Sequence, residues 1–209
     1  MQPNIEELKD KFVELLEDTN RPGIGKVLEG LEAVGFYNAP ASSRFHCAYE
    51  GGLLEHSMNV YRQANVLREA EIAIRQDMEK HLPQESIVIA ALLHDVCKSD
   101  IYKKVEKFRK DKEGRWEKYL AWDSDHAKMP LGHGEKSVIR LIRMGLQLTN
   151  DEILAIRWHM GAWDLSDYSG AKRSFDAACD KAPLLPLIMA ADGLASRISE
   201  RPAENGGEE

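Results

Sequence analysis

The 209-residue sequence predicts an all-α helical bundle carrying a small β-hairpin insertion. Apolar residues recur at helical spacing along most of the chain, as in Leu8, Phe12, Leu15 and Leu16. Start and stop signals bracket those stretches, from the polar cap and acids of Asn4-Ile5-Glu6-Glu7 to Gly35. One stretch breaks the period: runs 104–110 and 116–122 flank Lys112-Glu113-Gly114-Arg115, which has turn chemistry.

Each element follows from these signals. A first helix begins at Asn4, and a second short one spans 24–34, with Gly35 as its stop. From Tyr37 to Gly51 the periodicity fails, and Asn38, Pro40, Ser42 and Ser43 predict a loop. Long helices follow over 53–74 and 85–96, and the hairpin occupies 103–122. Helices resume over 133–145, 150–160, 170–181 and 184–199. Residues 1–200 are expected to form one domain, with 1–44 a helical extension and 45–199 the core. The polar, Gly-rich residues 201–209 read as a disordered tail.

Composition narrows the function. With 43% hydrophobic and 30% charged residues the chain is ordinary for a water-soluble domain. A formal charge of −7 argues against coating nucleic acid through a general positive field. No apolar run is long enough to cross a bilayer, and the first residues lead into a charged amphipathic segment, so no membrane association is expected. Cys47, Cys97 and Cys179 are odd in number and lack CxxC spacing, which suits free thiols in a reducing cytoplasm.

The chemistry is concentrated in a few polar residues set into apolar helices. The run Ile87-Val88-Ile89-Ala90-Ala91-Leu92-Leu93 ends in His94-Asp95, followed by Val96-Cys97-Lys98. A carboxylate there is costly unless paired, hydrogen-bonded or coordinating a cation. Lys98, four residues beyond His94, is expected one turn further along the same helical face, within reach of an anion bound at that end. A solvated lysine after a polar helix end is the equal alternative on this stretch alone. His56 stands in the first turns of a helix after Gly51-Gly52, and His133 at a helix start between two glycines. His159 lies near a helix end, and Asp192 is a single carboxylate inside an apolar helix. Each reads alone as a satisfied core polar group. Together they supply four histidines and two aspartates on separate helices, a mixed N/O set suited to Mn²⁺, Fe, Co²⁺, Ni²⁺ or Zn²⁺ rather than to a Ca²⁺ cage.

In this order the residues resemble the HD-domain metal-dependent phosphohydrolases, whose ligands are a lone His, a His-Asp pair and a distant Asp. His56, His94-Asp95 and Asp192 match that order, and Leu-Leu-His-Asp-Val-Cys-Lys looks like the family's apolar-His-Asp-x-x-Lys segment. The phrase Tyr49-Glu50-Gly51-Gly52-Leu53-Leu54-Glu55-His56-Ser57 is similar to a segment of the HD nucleases that trim RNA from its 3′ end. The resemblance covers roughly residues 45–198. It implies an HD-type fold and one or two divalent transition-metal ions, with Asp95 and Lys98 as catalytic groups. It also implies hydrolysis of a phosphate ester or phosphodiester by metal-activated water. His133 and His159 look like the extra ligands of two-metal branches, although several such relatives carry a His-His doublet where Trp158-His159 stands. Asp95→Ala is expected to abolish turnover and leave the fold largely intact.

The expected partner is a small phosphorylated substrate such as a nucleotide, with short single-stranded RNA a further option. A 3′-5′ exoribonuclease, a diiron oxygenase and a non-catalytic nucleotide sensor are the alternatives. The nuclease reading is weakened because only about 45 residues precede the matching region, where those enzymes usually carry a nucleic-acid-binding domain. Candidate substrate contacts are His46, Lys98, Lys103, Arg109 and Trp163, with Tyr168 and Trp158 as possible stacking rings. A solvated hairpin and core aromatics are the plainer readings of the same residues.

Overall fold

A computed structural model describes residues 4–125, 129–165 and 169–201. Tyr168 and residues 202–209 of the expected tail lie outside the described residues. Eight α-helices and one antiparallel hairpin make up the described chain, so the all-α class with a hairpin insertion holds.

Helix α1 (Ile5–Asp18) starts where Asn4 accepts a hydrogen bond from the Glu6 amide, as its sequence predicts. Helix α2 (Ile24–Ala33) ends ahead of Gly35, whose φ of 76° is the left-handed turn that only glycine adopts cheaply. The centre is α3 (Gly52–Ile74), which packs on α1, α4 (Gln84–Leu93) and α8 (Leu184–Leu194). Helices α5 (His133–Arg143) and α6 (Asn150–Trp158) pack on each other, and α6 also meets α8. Helix α7 (Ser169–Lys181) lies against α6 and α8. Helix α4 has no polar face: every residue from Ser86 to Leu93 is buried, which is what an apolar helix at the middle of a bundle requires.

The segment expected as a helical extension belongs to the core. Phe12, Leu16, Val27, Leu31 and Phe36 are fully buried, and the Phe12 ring sits 5.3 Å from that of Phe36 and 5.8 Å from that of Tyr37. Burying each such side chain stabilises the fold by about 1.5–3 kcal/mol.

Strands β1 (Tyr102–Lys110) and β2 (Trp116–Ser124) pair from Tyr102↔Ser124 to Lys110↔Trp116, slightly beyond the predicted 103–122. Their turn is closed by Asp111, which accepts from the amides of Glu113 and Arg115, and by Gly114 at φ 79°.

Two boundaries differ from expectation in ways that shape the site. Helix α4 stops at Leu93 instead of running to 96, because Asp95 leaves helical geometry (φ −106°, ψ 20°) and Val96–Asp100 forms a 3-10 turn. Lys98 therefore does not share a helical face with His94. The last helix is α-helical only to Leu194, and Ala195–Ser199 form a π turn.

Candidate metal centre and substrate cleft

Four elements deliver the polar residues to one point. His56 lies in the second turn of α3, whose start is fixed by close packing: a Cβ on Gly52 would meet the Cys47 carbonyl oxygen at 2.0 Å. His94 caps the C-terminus of α4 with Asp95 beside it, His159 caps α6, and Asp192 projects from α8. His56 Nε2 is 3.3 Å from Asp192 Oδ1 and 3.6 Å from Asp95 Oδ2. His94 Nε2 lies 3.3 Å from Asp95 Oδ2, and His159 Nε2 lies 3.4 Å from Asp95 Oδ1.

The other nitrogen of each ring is held by a neighbour. His94 Nδ1 donates to the Ala91 carbonyl at 2.9 Å, and His159 Nδ1 to the Ile156 carbonyl at 2.8 Å. His56 Nδ1 faces the Glu200 carboxylate at 3.0 and 3.1 Å, and Glu200 also accepts from Asn59 Nδ2 at 3.1 Å. A carbonyl or carboxylate at Nδ1 fixes the tautomer and aims the Nε2 lone pair inward. Nε2 of His56, His94 and His159, together with Asp95 Oδ1, are buried and have no hydrogen-bond partner among the described residues. Buried polar atoms are rarely left so, and each costs about 1–3 kcal/mol. Four of them converging in an N/O donor set could hold a divalent cation, with ligand atoms grouped within 4.8 Å as His56–His94–Asp192 and His94–Asp95–His159.

Charge is balanced within the cluster. Lys98 Nζ reaches Asp95 Oδ2 at 2.6 Å, and both are buried. Burial alone would raise the Asp95 pKa, but Lys98 and then His94 hold the carboxyl well below the usual carboxylate range. Burial pulls His56 down, yet Asp192 and Glu200 outweigh it and raise the imidazole to about 9. For Asp192 and Glu200 burial acts upward, and His56 more than reverses it.

The remaining expected residues fall into three places. His133 sits with Asp95 and Cys97, its Nδ1 3.4 Å from the Cys97 sulfur, so Asp95 stands between a His94–His159 side and a Cys97–His133 side. His46 has its ring 4.8 Å from that of His56, and burial, then His56 and Lys98, lower its pKa to about 4. His46 and Trp163 line a cavity of about 720 Å³ that opens onto Lys98, His159 and Asp192. Lys103 and Arg109 do not line it: they are exposed on the hairpin and paired with Asp125 and Glu117. Trp158 is buried against Phe175, a core ring and not a surface for stacking.

Sequence reasoning missed Glu200, Cys97 and the arginines Arg197 and Arg201 that also line the cavity. Glu200 reads as one more acid near a polar tail, and only the π turn, where its amide bonds the Ala195 carbonyl, shows that it folds back onto α3.

No helix of the described residues is long and apolar enough to cross a membrane. No family model matches the chain, and no solved structure matches it. Over 121 residues it is 32% identical to a dihydroneopterin 2′,3′-cyclic phosphate phosphodiesterase of Methanocaldococcus jannaschii. The aligned stretch is 58% of this chain and 44% of that protein, so the chain spans less than half the length of a relative that is itself a phosphohydrolase.

Proposed function

We propose that the chain is a metal-dependent phosphohydrolase of the HD-domain type, acting on a phosphate ester or phosphodiester of a nucleotide or related small molecule. One observation carries this reading: three buried imidazole Nε2 atoms converge on the Asp95 and Asp192 carboxylates at 3.3–3.6 Å, and none of the three has a hydrogen-bond partner among the described residues. The order His56, His94-Asp95, Asp192 along the chain is that of the HD ligands, and the archaeal relative hydrolyses a cyclic phosphate by its name.

His56, His94, Asp95 and Asp192 would hold one ion, with His159 and His133 flanking Asp95 for a second. When bound, such an ion supplies Lewis acidity and an acidified water at neutral pH. The chain's own residues do the rest. Lys98 holds Asp95 in place and presents positive charge to the cleft, which favours an anionic substrate. The 3-10 turn after Asp95 sets that contact, and burial of His56 and His94 keeps competing water off their nitrogens.

The test is elemental analysis of gently purified protein, then a hydrolysis panel of bis-p-nitrophenyl phosphate, 2′,3′-cyclic nucleotides, 5′-nucleotides and short RNA. Asp192→Asn is the variant of choice, because Asp95→Ala would strand the buried Lys98 ammonium and cost about 3–5 kcal/mol. Near-stoichiometric transition metal and metal-dependent phosphate-ester cleavage, both lost in Asp192→Asn, are the expected results. Failure to take up metal, or undiminished turnover in metal-free protein, would overturn the reading.

A further inference from the structure

We propose that the cleft has two parts, an anion subsite made by Arg197 and Arg201 and a ring subsite made by Phe45 and Trp163, so that it selects phosphate esters bearing a flat aromatic ring. The inference rests on the hydrolase reading only for which end of the ligand reacts.

The anion subsite follows from the charges around the cavity. Lys98 pairs with Asp95, and Asp192 and Glu200 both contact His56. Arg197 and Arg201 line the same cavity, and neither makes an ion pair or hydrogen bond among the described residues. Two guanidinium groups thus stand beside the candidate metal centre with no ion pair of their own among the described residues, and their planar forks suit phosphate oxygens. Local geometry puts Arg197 there. At α-helical spacing Asp192 and Arg197, five residues apart, would lie on well-separated faces. The π turn at Ala195–Ser199 changes the helical phase after Leu194, and both residues line the cavity.

The ring subsite follows from exposure. Phe45 is 71% and Trp163 84% exposed, yet both line this cavity, where Met160 and Met189 add apolar, adaptable walls. Exposed aromatics scattered singly need no explanation, but two of them at one cleft beside unmatched arginines form a surface with a polar and a flat apolar end. At about 720 Å³ the cavity falls within the size range of small-molecule sites. Stacking discriminates by the presence of a ring and only weakly by its identity, so purine, pyrimidine and pterin phosphates fall in one class.

The experiment is calorimetric binding of AMP, ribose 5-phosphate and inorganic phosphate to Mn²⁺-loaded protein and to its Trp163→Ala and Arg197→Ala variants. Both side chains are exposed, so the variants keep the fold. AMP should bind about 10-fold more tightly than ribose 5-phosphate, a preference that Trp163→Ala removes. Arg197→Ala should weaken all three ligands by a similar factor. Equal binding of AMP and ribose 5-phosphate by the wild-type protein, or undiminished phosphate binding in Arg197→Ala, overturns the two-part cleft. Turnover measured in parallel separates the two readings. Hydrolysis without ring preference sinks the cleft and leaves the hydrolase standing, and ring-selective binding without hydrolysis does the reverse.

Discussion

Each histidine at the centre commits one nitrogen to a neighbour and keeps the other for the cluster, and for His56 that neighbour is Glu200. A carboxylate behind a ligating imidazole orients the ring and strengthens its lone pair, and losing it typically lowers metal affinity about 10–100-fold. Glu200→Ala is expected to show that loss in a competition titration with a chromophoric chelator, and Glu200→Gln, which keeps an acceptor, a smaller one. Equal affinities in all three proteins would leave Glu200 no positioning role. The metal-free protein should also carry a pH signature. Its His56 pKa of about 9 lies above the ordinary 6.5 because Asp192 and Glu200 outweigh burial. A group raised on folding stabilises fully below its unfolded pKa and loses that contribution as pH rises through the folded one. Melting temperature in EDTA should therefore fall between pH 6.5 and 9, an effect bounded at about 3 kcal/mol. Metal-loaded protein should not show the fall, because ligation needs the neutral ring. His94, Asp95 and Asp192 stood out in the sequence because each is a polar residue set in an apolar helix, and His56 and His159 because each lies at a helix start or end. Glu200 was not, since nothing around it in sequence conflicts with a solvent-exposed acid.

Helix existence and order were read correctly, whereas the ends of α4 and α8 were not, and the reason is chemical. The apolar period of α4 continues through Val96, but the backbone turns at Asp95 so that its carboxylate can meet Lys98 and three histidines. Tertiary pairing overrides local pattern there, as it does at the π turn that carries Arg197 and is capped by Glu200. The hairpin is the opposite case. Turn chemistry and period were sufficient to place it, because its strands pack chiefly on each other and none of the residues from Lys103 to Ser124 is buried. An element with so little buried surface should be separable from the body. Tyr102 and Ser124 are directly paired, so an Asn-Gly linker can replace residues 103–123 without stretching the chain. The excised protein is expected to melt within a few degrees of the parent and to bind the same amount of metal per chain. A collapse in melting temperature would show that the hairpin braces the site instead of standing beside it.

At the scale of the molecule, the N-terminal segment is tied to the site-bearing helices by apolar packing and by one buried ionic node. Glu152 on α6 is fully buried and accepts from both Arg21 guanidinium nitrogens at 2.8 Å, from Ser86 Oγ at 2.7 Å and from the Thr149 amide at 2.8 Å. That joins the turn between α1 and α2, the start of α4 and the cap of α6 in one network. The sequence shows the Thr149-to-Glu152 capping pattern but gives no sign that Arg21, 131 residues away, completes it. Long-range polar pairing carries no periodic signal, which is why residues 1–44 looked like an extension. Breaking a buried pair by removing one partner costs about 3–5 kcal/mol, because the other charge is left without compensation. Glu152→Ala should therefore lower unfolding free energy by that order in urea. Arg21→Ala should do nearly as much, and the double variant far less than their sum. Metal stoichiometry of the folded fraction should stay unchanged in all three, since the network touches none of the cluster's ligands. Strict additivity of the two substitutions would mean that the N-terminal segment is held by its apolar face alone.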